Sequence, residues 1–310
     1  MTVLTIPAWG VAELVEREPE RPGLGQVRVR VEAAPVHPAD VWVHDGTLAA
    51  LLPDAPSYTP GWGVAGVVEE VGPDVVDLAP GDPVLGLSDW FDTFVGTHAS
   101  SVVLPARAVG RRPGGLAAAQ AAALSLNALT ARQALDLLDL PTGATLGVTG
   151  AAGGVGGFAL ELARLRGLEV VGVARETDRG FVEGAGGRLA MRPDDDDADL
   201  AEALRAAAGG GALDAVLDTA VLGAPALDAV RDGGVFVAVT GPGTPASERE
   251  IRVDTVHVVG DGSQLAELAL LATDGAITAR VAAMFPLAEA ADAYRTVAQG
   301  GLRGAVVLIP

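Results

Sequence analysis

The chain holds no cysteine in its 310 residues. Disulfides, cysteine–metal sites and a thiol nucleophile are therefore excluded. Basic residues are scarce: Lys plus Arg total 21 against 40 Asp plus Glu, a net charge of −19. That surplus repels nucleic acid and anionic membranes, and it favours solubility. There are only four histidines. No uncharged apolar run approaches the roughly eighteen residues a membrane-spanning helix needs. The alanine-rich stretch from Leu116 to Leu126 is too short and reads as a buried helix. Met1 to Pro7 lacks the basic n-region and the long apolar run of a signal peptide. These absences together predict a soluble, cytoplasmic protein without metal clusters.

What remains is ordinary for a globular protein, 49% hydrophobic and 20% charged, and long enough for two domains. The first third is β-rich. Val27 to Ala33 alternates apolar and polar, as a half-exposed strand does. Gly66 to Gly72 and Pro83 to Leu87 read as further short strands, separated by Pro73-Asp74 and Pro80-Gly81-Asp82. The texture changes near Gly114-Gly115, and strands then alternate with helices. Helices are predicted over Leu116–Leu124, Asn127–Leu138 and Pro286–Gln299, and strands over Ala215–Asp218, Val235–Val239 and Gly304–Ile309. Alternation of this kind indicates a parallel sheet covered on both faces. The run Asp194–Asp197 reads as a solvated loop entering a helix at Leu200, in preference to a metal site.

One segment carries chemistry. An apolar strand, Thr145–Thr149, runs into Gly150-Ala151-Ala152-Gly153-Gly154-Val155-Gly156 and then into an amphipathic helix. This is the pattern of a phosphate-binding βα turn. Gly150 permits the sharp reversal, Gly153 a close approach to pyrophosphate, and Gly156 tight helix packing. The helix N-terminus then faces the anion. A second strand, Leu168–Arg175, follows about twenty residues later and completes the βαβ unit. A bare glycine pattern is a weak signal among 41 glycines, and this flanking context is what strengthens it. The second strand ends in Ala174-Arg175, where an NAD site usually carries an acid. A guanidinium there suits a 2′-phosphate, and Arg179 adds a second one nearby. The expectation is NADPH over NADH. Glu176 complicates it, and the plain alternative is that Arg175 is a surface arginine.

The order of parts resembles the medium-chain dehydrogenase/reductase superfamily, and within it the zinc-free, quinone-oxidoreductase-like branch. The marks are His37-Pro38-Ala39-Asp40 with Gly46, similar to an Asn-Pro-x-Asp segment, then Pro60–Val68, Gly81–Val84, Leu129-Thr130-Ala131, the glycine turn, and Gly301–Val307. Ala305 stands where a lysine is usual. The resemblance implies a Rossmann-type doubly wound parallel sheet inserted into a β-rich, GroES-like substrate domain. The substrate domain would comprise residues 1–122 and 281–310 and the Rossmann domain residues 123–280, with the active site in the cleft. By motif alignment the zinc-ligand positions of relatives fall at His37, Trp62 and Ala123, and one histidine does not make the three-ligand set of a catalytic zinc.

The implied activity is an NADPH-dependent, metal-free reduction of a quinone or α,β-unsaturated carbonyl. Two other readings stand beside it: a dedicated enoyl reductase acting on one biosynthetic intermediate, and a catalytically silent NADPH-binding sensor or structural protein. Cofactor contacts are expected from Asn127, Thr130, Gly150, Ala152, Gly153, Gly154, Val155, Gly156, Ala174, Arg175, Arg179 and Thr219. An N-cap role explains Asn127 equally well. Negative charge developing on the substrate oxygen needs hydrogen-bond donors. The candidates are His37, which stands where the family has Asn, with Tyr58 and His98 behind it. A structural histidine beside Pro38 is the competing reading of His37. Trp42 replaces a common Tyr and Gly63 a common Asp, while Trp42 and Trp62 suit packing or pocket walls. Finally, Ile251–Val258 reads as an edge strand, and a homodimer through such edges is expected.

Overall fold

In a computed structural model the protein is described over residues 1–192, 200–241 and 243–310. The acidic run Asp194–Asp197 lies outside the described residues. The chain divides into two compact units, Met1–Leu129 with Val259–Pro310, and Thr130–Val258.

The elements of the first unit are β1 (Thr2–Ala8), β2 (Val11–Glu16), β3 (Gln26–Val36), α1 (Pro38–Asp45), β4 (Gly63–Val71), β5 (Pro83–Leu87), α2 (Trp90–Thr93), β6 (Ser101–Pro105), β7 (Val109–Arg111) and α3 (Ala118–Ser125). Helix α4 (Asn127–Leu138) leads into the second unit. That unit holds β8 (Thr145–Thr149), α5 (Gly154–Leu165), β9 (Glu169–Ala174), α6 (Arg179–Gly184), β10 (Arg188–Met191), α7 (Leu200–Ala207), β11 (Leu213–Asp218), α8 (Ala224–Leu227), β12 (Val230–Ala238) and β13 (Arg252–Thr255). The first unit resumes with α9 (Gly262–Thr273), β14 (Val281–Pro286), α10 (Ala290–Gln299) and β15 (Ala305–Ile309).

The second unit is a six-stranded sheet in the order β10-β9-β8-β11-β12-β13. Every pairing in it is parallel. Parallel sheets of this kind are covered on both faces, so their strands are apolar throughout. Strand β9 shows this: after Glu169 every residue is buried. Val171, Val173, Leu204, Val216, Leu227 and Phe236 fill one core cluster. Each such side chain, fully buried, contributes about 1.5–3 kcal/mol. The strand order reverses between β8 and β11, and ligands bind outside the C-terminal strand ends at such a reversal.

The first unit is built on a mainly antiparallel sheet, β14-β15-β3-β4-β5-β7, with β6 also pairing β3. The long strand β3 buries Val27, Val29 and Val31 and turns Arg28 and Arg30 outward, as its alternation predicts. Arg28 meets Glu69 at 3.2 Å and Glu70 at 2.6 Å on that outer face. The closing strand β15 pairs antiparallel with β3 and parallel with β14. A second core of Leu4, Ile6, Val36, Val41, Leu287, Tyr294, Val306 and Leu308 lies between this end of the sheet and helix α10.

The unit limits differ from those read off the sequence. The second unit covers 130–258, not 123–280. Two contacts explain the shift. Ser125 Oγ on α3 donates to the Val64 carbonyl of β4 at 3.3 Å, which ties α3 to the first unit. Residues before α9 are held there too: Gly260 N donates to Asp89 Oδ1 at 2.7 Å, and Arg107 donates to the Gly260 carbonyl at 3.2 Å. The change of texture near Gly114 therefore marks the start of α3, and the inserted unit begins later.

Candidate active site

The glycine turn sits where the sheet order predicts, between β8 and α5. Gly150 has φ +58°, in the left-handed region where a side chain is strained. A Cβ on Gly156 would stand 2.3 Å from the Gly150 carbonyl oxygen, so only glycine lets α5 start against the turn. The turn is fastened to β9 by Ala151 N donating to Val173 O at 3.0 Å. Gly153 and Gly154 are exposed, and a Cβ on Gly153 would meet only the Gly150 oxygen. The first i→i−4 bond of α5 runs from Gly157 N to Gly153 O, at 3.0 Å. The amides of the first turn therefore lie ahead of the helical ladder and face outward with the positive end of the dipole. This donor set fits a pyrophosphate.

A buried carboxylate, which was not foreseen as a site residue, braces the same edge. Asp218 at the end of β11 is 1% exposed. Its Oδ1 accepts from Thr149 Oγ1 at 2.5 Å and from Ala220 N at 3.2 Å. Its Oδ2 accepts from Gly223 N at 2.8 Å. Thr219, expected to touch cofactor, turns its hydroxyl to the Thr149 carbonyl at 2.5 Å. The hydroxyl is therefore committed within the protein, and any contact it makes is through other atoms.

At the end of β9, Ala174 is buried and Arg175 is exposed. Arg179 does not stand free beside it. Its guanidinium makes two 2.7 Å hydrogen bonds to Glu176 and one of 3.2 Å to Glu183. The expected second phosphate ligand, Arg179, is thus engaged with two carboxylates, and the Glu176 carboxyl is held below its ordinary pKa by Arg179. Arg175 is left with no ion-pair partner among the described residues. Val155 and Ala152 are half-buried on the turn, Thr130 is buried in α4, and Asn127 is half-buried at the first position of that helix.

The three donor candidates all lie in the first unit, and two are spent. Tyr58 donates its hydroxyl to the Pro53 carbonyl and stacks on Trp9, ring centroids 5.6 Å apart. His98 is fully buried between two partners, Tyr294 Oη at 2.9 Å and the Pro35 carbonyl at 3.1 Å. A carbonyl only accepts, so Nε2 of His98 carries the proton and Nδ1 accepts from the Tyr294 hydroxyl. Both residues, expected as the weaker substrate donors, thus have their polar atoms engaged within the protein. His37 differs. It caps α1 with an extended backbone and is 4% exposed, and neither ring nitrogen has a hydrogen-bond partner. Asp40, at 0% exposure, accepts from His37 N at 2.7 Å and lies 3.4 Å from His37 Nδ1.

Comparison with known proteins decides the family. Residues 23–120 match the family model described as an alcohol dehydrogenase GroES-like domain, and residues 190–308 the one described as a zinc-binding dehydrogenase. The chain is 36% identical over 317 residues to the pikromycin polyketide synthase component PikAII of Streptomyces venezuelae, covering 96% of itself and 8% of that protein. It is 34% identical over 158 residues to a mitochondrial enoyl-[acyl-carrier-protein] reductase of Xenopus tropicalis, covering 51% of itself and 43% of the relative. The chain thus spans less than half the length of either relative. A quinone oxidoreductase from Coxiella burnetii superposes over 100% of this chain and 99% of its own, with a TM-score of 0.86 at 24% identity. The mycobacterial protein Rv1454c complexed with NADPH superposes over 100% of both chains, with a TM-score of 0.81 at 25% identity. This chain belongs to the medium-chain dehydrogenase/reductase superfamily, in its quinone-oxidoreductase-like branch. It is an oxidoreductase by that membership.

Four positions where the chain departs from the superfamily pattern are now placed. Trp62, at an aligned zinc-ligand position, is 5% exposed and packs on Trp90 with centroids 4.8 Å apart. Trp90 is itself anchored by Nε1 donating to Thr59 O at 2.8 Å. Gly63 replaces an acid because a Cβ there would stand 2.9 Å from both Pro35 Cγ and Ser125 Cβ, where α3 presses on β4. Trp42 is 39% exposed and lines a shallow groove with Pro38, Val41, Asp45, Val297 and Ala298. Ala123 is buried in α3 and offers no ligand atom. Among the described residues, no three His, Cys, Asp or Glu side chains gather as a metal site, and no helix is long and apolar enough to cross a membrane.

The buried His98 makes stability pH-dependent. Burial holds its imidazole below the ordinary histidine pKa, and the nearby Asp40 opposes that only in part. The unfolded chain therefore binds more protons than the fold once pH falls below about 6.5. Stability is full above that pH and is lost as pH drops toward the lower folded value. His44, also lowered by burial, adds in the same sense. Thermal melts from about pH 7.5 to about pH 5 should show Tm falling on the acid side. His98→Gln should cost about 1–3 kcal/mol at neutral pH through poorer buried hydrogen bonds, and should flatten the acid slope. An equally steep slope in the variant would assign the acid loss to other groups.

Proposed function

We propose that this oxidoreductase is an NADPH-dependent, metal-free reductase of conjugated carbonyl compounds. The observation that carries the reading is the cofactor turn with an exposed, unpaired Arg175 at the end of β9 and its acidic neighbour already neutralised. When bound, the nicotinamide supplies a hydride to an electron-poor carbon of the acceptor. The chain's own residues do the rest. The first-turn amides of α5 hold the pyrophosphate, and Arg175 pairs with the 2′-phosphate. The Asp218–Thr149 network fixes the loop beside them.

Hydride addition leaves negative charge on the acceptor oxygen, and that charge must be met by a hydrogen bond and then a proton. All 21 basic residues of the chain are arginine, and there is no cysteine. Side chains that exchange protons near neutrality are therefore the four histidines. Of these, His98 is spent, while His37 stands at the position of the family's Asn with both ring nitrogens unpartnered, so His37 is the proposed donor. The acceptor class leans toward an enoyl thioester. PikAII is a polyketide synthase component and the Xenopus relative an enoyl-[acyl-carrier-protein] reductase, whereas the quinone oxidoreductase likeness is structural. Turnover of NADPH with crotonyl N-acetylcysteamine above that with a naphthoquinone supports the enoyl reading. The reverse order supports a general quinone reductase. Tight NADPH binding with neither turnover would point to a cofactor-binding protein without chemistry.

Three measurements test this reading. Arg175→Ala should weaken NADPH by about 1.5–3 kcal/mol, the value of a charge-assisted hydrogen bond, and leave NADH binding unchanged. Fluorescence titration of both cofactors decides it, and equal losses would remove the 2′-phosphate assignment. His37→Ala should lower kcat by about 10²–10³ with NADPH affinity preserved. Loss of Tm with an unchanged kcat would instead mark His37 as structural. A homodimer joined through β13 belongs to the same proposal, because that strand ends the sheet with one edge unpaired by this chain. Light scattering should give about twice the 31.1 kDa chain mass, and a clean monomer would refute it.

A further inference from the structure

The surroundings of His37 say more than that it lacks a partner. Asp40 is completely buried, yet only one of its oxygens is used. Oδ2 accepts from His37 N at 2.7 Å, as an acid at the third helical position does when it reaches back to the cap. The same Oδ2 lies 3.4 Å from His37 Nδ1. Oδ1 has no hydrogen-bond partner and lies 3.9 Å from His98 Nε2, whose proton is given to Pro35. The groups around His37 are therefore Asp40 and a neutral His98, with Tyr294 and His44 behind them. Tyr294 is no source of charge, since burial and Asp40 push its pKa well up. A buried carboxylate is costly unless a donor or a cation answers it. The ring beside it that still has protons to direct is His37.

We propose that Asp40 is the positioning residue for His37: it holds Nδ1–H and so makes Nε2 the nitrogen offered to the substrate oxygen. The doubly protonated ring satisfies both sides, with Nδ1–H toward the carboxylate and Nε2–H toward the acceptor. After hydride addition, the Nε2 proton passes to the anionic acceptor and the ring is left neutral, its Nδ1–H still on Asp40. The proton is restored from solvent between turnovers. This inference rests on the reading of His37 as the donor. A helix cap alone would need Oδ2 and nothing more, so the charge of Asp40 is what separates the two roles.

The test is Asp40→Asn, whose amide oxygen keeps the cap to His37 N while the charge is lost. The expected result is a near-normal Tm, unchanged NADPH affinity, and a kcat lower by about tenfold or more, up to the 10²–10³ of losing the donor itself. The high-pH fall in kcat should move to lower pH by about one unit or more, because a facing negative charge is gone. A second readout needs no activity. Long-range proton–nitrogen spectra of the cofactor-free protein, with four histidines to assign, report which ring nitrogen is protonated. Wild type should show a protonated His37 Nδ1 throughout, and the ring should lose its charge at lower pH in Asp40→Asn. A wild-type kcat, pH limb and histidine titration in that variant would reduce Asp40 to a helix cap. If Asp40→Asn does not fold, Asp40→Ser keeps a capping oxygen, and the wild-type spectrum alone still decides: a His37 bearing its proton on Nε2 only overturns the proposal. The donor reading fails separately, if His37→Ala keeps full kcat while the wild-type Nδ1–H toward Asp40 is seen.

Discussion

Each unit of this protein holds a carboxylate almost wholly out of water, Asp218 in one and Asp40 in the other, and a buried carboxylate is stable only when its lone pairs are answered. Asp218 is answered fully, by a hydroxyl and two backbone amides. It pins the ends of β8 and β11 and the loop that follows, at the point where the strand order reverses. Asp40 is answered by one backbone amide and a histidine ring 3.4 Å away. Low dielectric magnifies both situations in opposite senses. The satisfied group makes the cofactor edge rigid. The half-satisfied group keeps one oxygen without a hydrogen-bond partner beside a ring whose nitrogens also have none.

Charge elsewhere follows the same logic at lower stakes. A net charge of −19 would make any bound dinucleotide phosphate unwelcome without local compensation. Most arginines are spent on acids: Arg28 on Glu69 and Glu70, Arg231 on Asp214, Arg179 on Glu176 and Glu183. Exposed pairs of this kind add little stability each. What they do at β9 is subtractive. Arg179 occupies Glu176, while Arg175 beside them has no ion-pair partner among the described residues.

How much of this was legible in the sequence depends on the range of the interaction involved. The strands over Thr145–Thr149, Pro83–Leu87 and Ala305–Ile309 and the glycine turn were readable, because alternation, apolar runs and φ > 0 at Gly150 are local demands. The unit boundary was not. It depends on Ser125 reaching Val64 and on Gly260 reaching Asp89, contacts between positions far apart in the chain. The pairing of Arg179 was hidden for a similar reason: its i−3 and i+4 acids become neighbours only once a tight turn and helix α6 form around it. His98 and Tyr58 were placed among the donors by residue type and by their expected place in the cleft. Their partners, Tyr294 and the Pro53 carbonyl, are tertiary. Asp218 had a faint signal, an acid closing an apolar parallel strand where burial is expected on both faces.

Two of the three aligned metal-ligand positions carry side chains that cannot bind a cation. A zinc ion would polarise a carbonyl as a point charge held by three side chains. In this sequence one of those positions is an indole packed on Trp90 and another an alanine inside α3, so two of the three have become hydrophobic core. An indole and a methyl group have no lone pair to offer a cation, so of the three aligned positions His37 alone carries a ligand atom, and one histidine does not make the three-ligand set. Under the proposal that His37 is the donor, a hydrogen bond to the developing oxyanion would take the part that a metal's charge plays elsewhere.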